Sequence, residues 1–437
     1  MLKDKKVGEE SSEKVEPSNK NIVLILGAPA GLEDFKDKYK DTYRLFLVRG
    51  HKDQPLPSHK KYLSSGVLDG ELLINFDSTQ SIMDSLKSLK DEVVAVTCRK
   101  EAKIPELQKL IPYLPYLKTP TVASLEWCTN KVEMRRRLFL YDKKITPKYK
   151  VVTDTTKATI EKIRTEIGFP LVLKPSGLAQ STLVNIIFHE EELETTLKKV
   201  LKKIDKAYKE AGRKSVPQVL VEQFMEGDMY SIDAFVNSRG KIYFAPMVHV
   251  KTGRDIGFDD FFAYRTLTPT SLKKNSIEDA QVVATKAIRA VGLRSSTAHI
   301  EMYRTEDGWK IIELGPRLGG FRYDMYKLSY GLDATAADIF IRLPKKLSMP
   351  KKVRGYTAVF KFFAIKEGKL GALGGIKKIQ GLKSFHSIAI NKQVGDTARF
   401  AKNGGKSIFN ITLFNEDRSK LFADIRRMEQ TVKISIK

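Results

Sequence analysis

Short apolar runs that alternate with helix-like stretches constrain the fold of this chain most strongly. The runs NIVLILG, YRLFLVRG, ELLINF and DEVVAVTC follow one another from residue 21, and each is rich in β-branched or other large apolar residues. This pattern is typical of a small α/β sheet. Because 437 residues, 42% of them hydrophobic, are too many for one core, we expect an α/β and α+β protein of two or three domains.

The segments predict a tail followed by three folded parts. Residues 1–20 are almost wholly polar and charged, so they are expected to form a disordered tail. An N-terminal α/β domain is predicted at 21–120, and a central region of alternating strands and helices at 121–345. The stretch LPKKLSMPKKV then has the prolines and lysines of a linker. A small α+β unit is predicted at 346–437.

Composition limits the partners of the protein. The net charge of +25 would favour polyphosphates and could draw nucleic acid, but much of it is lysine along helix-like stretches such as LKKVLKKIDKAYKE. RNA-recognition and zinc-finger spacings are absent from the sequence, so nucleic acid is not the predicted partner.

No run approaches the roughly 20 apolar residues of a membrane helix. The start lacks the apolar core of a signal peptide, so a cytoplasmic protein without a membrane partner is predicted.

The strongest chemical signal is a pair of apolar segments that each carry one carboxylate. TAHIEMYR and WKIIELGPRLGG contain Glu301 and Glu313 and are joined by TEDG. A three-residue loop of Glu306, Asp307 and Gly308 would place the two carboxylates opposite each other on one face, whereas a two-residue loop would place them on opposite faces. Facing carboxylates repel, so we predict a cation between them, Mg²⁺ or Mn²⁺. The alternative is two glutamates that face solvent.

Two further segments have the form of nucleotide-binding elements. In FPLVLKPSGLAQST an apolar strand ends at Lys174, and a loop with Ser176, Gly177 and Ser181 follows. A lysine beside small residues suits phosphate oxygens, although a strand-terminal lysine is usually just solvated. In VLVEQFMEGDMYSIDAFV, Glu222 ends the first of two strands and could face an adenine edge, but the pattern also fits an ordinary hairpin.

Two other signals are set aside. NIVLILGAPAG places glycines after a strand but lacks GxGxxG and the full Walker spacing, so a plain strand-to-loop turn is favoured. His299 has the same strand parity as Glu301 and could face the site, yet a packed or solvated histidine is the favoured interpretation.

In their order along the chain these segments resemble the ATP-grasp superfamily, from about Asn130 to Asp333. NKVEMRRRL with ITPKY is similar to the helix that carries the first phosphate-binding lysine, which implies Lys131. FPLVLKP resembles the strand of the second lysine, Lys174. SGLAQST resembles the loop that closes over the phosphates, which implies ATP contacts for the small residues named above.

The remaining site residues are implied by the same resemblance. VLVEQF looks like the adenine hinge, with Glu222 at the adenine amino group and the backbone of Gln223 and Phe224 nearby. The resemblance also implies Glu301 and Glu313 as metal ligands and Arg317 as the arginine that stabilises the intermediate. The chain looks most similar to L-amino acid ligases and the wider biotin-carboxylase-like branch, so an ATP-grasp domain is expected at 121–345.

Two positions depart from the family pattern. The usual Glu-x-Asn-Pro-Arg has Gly315 in place of the asparagine, which removes an amide oxygen expected on a second Mg²⁺. Met229 stands where a ribose-binding glutamate is often found, and Asp228, one residue earlier, is its predicted substitute.

The resemblance implies an ATP- and Mg²⁺-dependent ligase that joins a small carboxylic acid to an amine through an acyl phosphate, on amino acids among other candidates. Two alternatives stay open, namely an ATP-binding relative without ligase activity and a basic nucleic-acid-binding protein. The sequence does not identify the acid or the acceptor, and it leaves open whether the protein is a monomer or a homo-oligomer.

Overall fold

The computed structural model describes residues 21–87, 89, 92–177, 183–210, 216–258 and 260–437. The tail predicted for residues 1–20 and the predicted ATP contact Ser181 lie outside these ranges. Within the described ranges, the structure contains no helix with the length and apolar character needed to cross a membrane.

The N-terminal domain is built on a parallel sheet. Its first strand, IVLIL, is completely buried, as expected for a parallel strand covered on both faces. The strands are β1 (Ile22–Leu26), β2 (Arg44–Gly50), β3 (Gly70–Ile74) and β4 (Val93–Cys98), in the order β3-β2-β1-β4. The helices are α1 (Leu32–Tyr39), α2 (Pro57–Ser64), α3 (Thr79–Lys87) and α4 (Ile104–Leu110).

Two capped helices lead from this domain to the centre of the molecule. They are α5 (Val122–Thr129) and α6 (Lys131–Tyr141). The side chain of Asn130 accepts hydrogen bonds from the amides of Val132 and Glu133, a typical N-cap that fixes where α6 begins. Lys131 is therefore held in the first turn of α6.

The first central subdomain is an antiparallel sheet covered by two helices. The strands are β5 (Tyr149–Val152), β6 (Leu171–Pro175), β7 (Asn185–Ile187) and β8 (Val219–Gln223), in the order β5-β8-β6-β7, and the helices are α7 (Lys157–Glu166) and α8 (Glu190–Glu210). Helix α8 buries one stripe at three- and four-residue spacing, Leu193, Leu197, Val200, Ile204 and Tyr208.

The second central subdomain and the C-terminal unit share one large sheet. Its strands are β9 (Asp228–Val236), β10 (Ile242–Phe244), β11 (Val248–Thr252), β12 (Ala263–Thr268), β13 (Ser296–Thr305), β14 (Gly308–Gly315), β15 (Tyr356–Phe362), β17 (Phe385–Ile390) and β19 (Phe409–Asn415). The order is β14-β13-β9-β11-β12-β15-β19-β17, and β10 also pairs with β9. Because β12 pairs with β15, the sheet continues across the predicted linker.

The remaining elements cover this sheet and extend the C-terminal unit. They are α9 (Lys274–Ala290), α10 (Arg322–Tyr330), α11 (Ala334–Phe340), α12 (Ile376–Gln380), α13 (Arg418–Thr431), β16 (Gly368–Gly374), β18 (Thr397–Ala398) and β20 (Lys433–Ile436). Helix α10 also contacts the N-terminal domain, since Tyr323 donates a hydrogen bond to Asp34. The predicted combination of α/β and α+β units is confirmed.

Candidate active site

The β13–β14 hairpin has a shorter loop than the one that would pair the two carboxylates by symmetry. Thr305 pairs with Gly308, so the loop consists of Glu306 and Asp307. A regular ladder from this loop would put the two metal-site carboxylates on opposite faces of the sheet, because a shift of one residue changes the face of every side chain that follows. The predicted three-residue loop of Glu306, Asp307 and Gly308 is therefore absent from this hairpin.

A β-bulge restores the pairing that the loop alone would prevent. The register shifts between Glu301 and Met302, which leaves Ile312 as the extra residue and sets Glu301 directly opposite Glu313. The carbonyl of Ile312 accepts a hydrogen bond of 2.6 Å from the guanidinium of Arg135 on α6. The bulge thus brings the two carboxylates onto one face, and Arg135 anchors it.

Cationic groups surround this carboxylate pair. Burial would raise the pKa of Glu301, but the hydrogen bond and charge of His299, together with Arg317, lower it to about 2. Lys131 Nζ lies 3.2 Å from Oε1 of Glu313. Glu301 is therefore ionised at neutral pH, and the first predicted phosphate-binding lysine lies beside its partner Glu313.

The carboxylate pair suits a hard divalent cation that completes its shell with phosphate and water. Within the described ranges no group of three or more His, Cys, Asp or Glu side chains is arranged to hold a metal. Mg²⁺ is typically bound by one or two carboxylates plus substrate phosphates, so Glu301 and Glu313 fit it. Gly315 contributes no side-chain ligand, although a Cβ there would meet only ordinary contacts, 3.9 and 4.0 Å from Arg317.

Glu222 and Lys174 form a buried ion pair with Arg135. Lys174 Nζ lies 2.7 Å from Glu222 Oε2, and Arg135 donates to both carboxylate oxygens at 2.6 and 3.2 Å. The strand register explains the first contact, because Val172 pairs with Glu222 and Lys174 lies two residues further on the same face. Only 3% of Glu222 is exposed. The carboxylate predicted to face adenine thus lies between two cations.

This triad changes the proton affinity of its members. Burial is the largest influence on Lys174 and lowers its pKa to about 8, even though Glu222 opposes the change. Burial acts in the opposite direction on Glu222, but the charges of Arg135 and Lys174 dominate and lower its pKa to about 2. At neutral pH, Lys174 therefore carries a charge that it loses more easily than an ordinary lysine does.

The hinge strand lines a cavity between the two subdomains. The amide of Gln223 donates to the carbonyl of Lys148 at 2.9 Å, and that of Phe224 to the carbonyl of Pro170 at 3.1 Å. The backbone amides of both predicted hinge residues are thus engaged in hydrogen bonds within the protein. The cavity is about 170 Å³, and its lining includes Lys131, Val172, Lys174, Val184, Glu222, Gln223, Phe224, Met229, Glu301, Ile312 and Glu313.

The predicted ribose contact lies at a neighbouring cavity. Met229 lines the cavity that holds the lysines and the carboxylates, whereas Asp228 lines an adjacent one of about 650 Å³. Consecutive residues of a strand point to opposite faces, which separates these two side chains. Both cavities contain Gln223 and Phe224 in their walls, so the hinge divides them.

A tyrosine fixes the start of the predicted phosphate loop. The hydroxyl of Tyr208 on α8 lies 3.1 Å from Ser176 Oγ and accepts the amide of Gly177 at 2.6 Å. A Cβ at Gly177 would lie 2.9 Å from that hydroxyl oxygen, so the backbone approaches too closely for a larger residue. Tyr208 on the long helix therefore positions Ser176 and Gly177, where the chain leaves β6.

Arg317 is held by the N-terminal domain. Its Nε and Nη2 lie 3.2 and 2.7 Å from Oε2 of Glu101, which follows β4. Burial alone would lower the pKa of Arg317, but Glu101 raises it, so the guanidinium stays charged. Sequence reasoning missed Glu101, because nothing near it in the chain indicates a site.

A second missed residue is Lys361, on β15 of the C-terminal unit. Burial lowers the pKa of Lys361, the charges of Arg322 and Arg317 lower it further, and the carboxylate of Glu301 opposes the change. The ammonium of Lys361 therefore lies within electrostatic reach of the carboxylate site. Nζ of Lys361 lies 5.5 Å from the centre of the Phe321 ring, and Phe321 immediately precedes α10. An isolated lysine in an apolar strand gives no functional signal in the sequence.

The cleft, its lysines and its paired carboxylates lie on the ATP-grasp fold. Residues 167–324 match the family model of the ATP-grasp domain, so the predicted superfamily is confirmed and the chain contains an ATP-grasp domain. Over nearly its full length the chain is similar in fold to an L-amino acid ligase from Bacillus licheniformis, with a TM-score of 0.75, 17% identity, and coverage of 97% of this chain and 100% of the other.

The chain is also similar to two other solved structures in fold and to one curated protein in sequence. Phosphoribosylglycinamide synthetase from Anaerococcus prevotii has a TM-score of 0.67 at 18% identity, with 96% and 100% of the two chains covered. Biotin carboxylase from Campylobacter jejuni has a TM-score of 0.62 at 14% identity, with 95% of this chain and 92% of the other chain covered. The uncharacterized protein y4rH of Sinorhizobium fredii is 27% identical over 281 residues, 63% of this chain and 54% of that protein. The chain thus spans about half the length of this curated relative.

Proposed function

We propose that this protein is an ATP-dependent carboxylate–amine ligase that acts through an acyl phosphate. One observation carries the proposal, namely that Lys131 and Lys174 share a cavity with the paired carboxylates Glu301 and Glu313. Phosphoryl transfer depends mainly on positioning and charge neutralisation, which these groups would supply. The fold supports the same class, since L-amino acid ligase shares it.

Each group of the cleft would have a distinct role with Mg²⁺-ATP. The lysines would bind phosphate oxygens, and the carboxylates would hold the cation, which neutralises charge on the phosphates. Because Glu222 is already paired with Arg135 and Lys174, we assign it to positioning Lys174 rather than to adenine. The apolar walls that include Val172, Val184, Met229 and Ile312 would pack against the purine.

The reaction would proceed in two steps. A carboxylate oxygen of the acid forms a bond to the γ-phosphorus, and the bond from that phosphorus to the β–γ bridging oxygen breaks, which gives an acyl phosphate and ADP. The nitrogen of an amine then attacks the acyl carbon and loses a proton, and phosphate leaves. Arg317 would stabilise the oxyanion of this second step. Because Arg317 pairs with Glu101, the N-terminal domain would border the acyl-transfer site.

The proposal is tested by ADP or phosphate release with Mg²⁺-ATP against amino acids, singly and in pairs. Glu313→Gln should abolish metal-dependent turnover and partly spare nucleotide binding, and Lys174→Ala should weaken ATP binding. Glu278→Gln on α9 is the matched control, because Glu278 is exposed and lines neither cavity. Equal release by wild type and Glu313→Gln would contradict the ligase assignment.

A second candidate function is an ATP-binding relative without ligase activity. Gly315 favours it, because the amide ligand of the family pattern is missing beside the carboxylate pair. ATP binding without ADP release over a broad panel of acids and amines would support this alternative.

A further inference from the structure

The imidazole of His299 lies between two carboxylates beside the proposed metal site. Its Nδ1 is 3.0 Å from Oδ1 of Asp233, and its Nε2 is 3.4 Å from Oε1 of Glu301. Strand pairing produces the first contact, because His299 on β13 lies directly opposite Asp233 on β9. The second follows from strand parity, since Glu301 is two residues further on the same face. His299 is 8% exposed and Asp233 is completely buried.

Asp233 is itself fixed from two directions. Its Oδ1 also accepts the amide of Gly319 at 2.8 Å, and its Oδ2 accepts the hydroxyl of Tyr326 at 2.6 Å. A buried carboxylate with donors on both oxygens has little freedom to rotate. Asp233 therefore provides a rigid support for the imidazole.

The imidazole ring also packs against bare backbone. A Cβ at Gly319 would lie 2.5 Å from both Cε1 and Nδ1 of His299, which is too close for non-bonded atoms. The ring thus occupies space that only glycine leaves open. Its position is set by Gly319 on one side and by Asp233 on the other, so Nε2 is directed at Glu301.

We propose that His299 is a positioning residue that holds the carboxylate of Glu301 in the orientation required by the divalent cation. This inference rests on the metal role proposed above for Glu301. The site has two protein carboxylates and glycine in place of a third ligand, so the orientation of each carboxylate matters more than in a site with the amide. Groups that hydrogen-bond to metal ligands typically contribute on the order of 10- to 100-fold to metal affinity.

The test is Mn²⁺ binding to the full-length protein, measured by the loss of the free Mn²⁺ signal in electron paramagnetic resonance, with and without a non-hydrolysable ATP analogue. His299→Gln should weaken Mn²⁺ binding by about tenfold or more. The matched control is His249→Gln on β11, because His249 packs against the ring of Tyr230 at 5.0 Å. The control should bind Mn²⁺ as the wild type does.

A second variant separates positioning from loss of fold. Gly319→Ala removes no polar group, but its Cβ would lie 2.5 Å from the imidazole of His299 and 2.8 Å from Cγ of Arg322. It should therefore displace the imidazole and also weaken Mn²⁺ binding. The metal-free affinity for the ATP analogue and the unfolding midpoint show whether each variant is folded.

The outcomes distinguish this inference from the proposed function. Folded His299→Gln and Gly319→Ala proteins that bind Mn²⁺ within twofold of the wild type, about 0.4 kcal/mol, would refute the positioning role alone. Failure of the wild type to bind Mn²⁺, even with the ATP analogue, would remove the metal role of Glu301 and the positioning role with it.

Discussion

Raising the pH above 8 should weaken ATP binding, because the pKa of Lys174 is lowered to about 8 by burial. Only the protonated ammonium attracts phosphate, and bound phosphates would keep the proton in place. The protonated fraction of free Lys174 falls from about 0.9 at pH 7 to about 0.1 at pH 9, so the affinity should fall about tenfold over this range. An ordinary lysine, with a pKa near 10.4, would cause almost no change there.

The matched variant is Lys174→Arg, which stays charged throughout this range. Calorimetric titrations with ATP in the absence of metal, between pH 7 and 9.5, should give a falling affinity for the wild type and a nearly constant one for the variant. An equal pH dependence in both proteins would place the titrating group elsewhere. A constant affinity in the wild type would show that Lys174 does not contact the phosphates in its charged form.

Three other substitutions test separate parts of the site. Arg135→Met removes two hydrogen bonds to Glu222 and breaks a buried ion pair, so it should lower the free energy of unfolding by about 3–5 kcal/mol. Urea unfolding measures this free energy, and a change below about 1 kcal/mol would contradict the prediction. At Gly315 there is space for a side chain beside Arg317, so Gly315→Asn should restore the missing amide ligand and tighten Mn²⁺ binding. The free energy of unfolding should change by less than about 1 kcal/mol. Weaker Mn²⁺ binding in a stable variant would count against a metal at this hairpin. Because the ammonium of Lys361 lies within electrostatic reach of the carboxylate site, we expect it to attract the carboxylate of a substrate. Lys361→Gln should then raise the KM of that substrate by about tenfold with little change in kcat, and an unchanged KM would exclude Lys361 from substrate binding.

The sequence determined the fold class and several side chains at the cleft. Apolar runs in alternation predicted the sheets, because strands and helices follow local periodicity. The same local periodicity predicted the position of Lys174 near the end of a strand and the two glutamates within the β13–β14 hairpin. The order of the motifs identified the ATP-grasp domain, which the match over residues 167–324 confirms.

Tertiary structure alone decided how these side chains are paired. Glu222 pairs with Arg135, 87 residues away, and Arg317 with Glu101, 216 residues away. Such contacts depend on how separately folded units pack, and no local pattern encodes them. The bulge at Ile312 is equally invisible in the sequence, because one extra residue reverses the face of a strand without changing its apolar character. The sequence therefore supplied the charged groups of the cleft, and packing between its subdomains set their geometry.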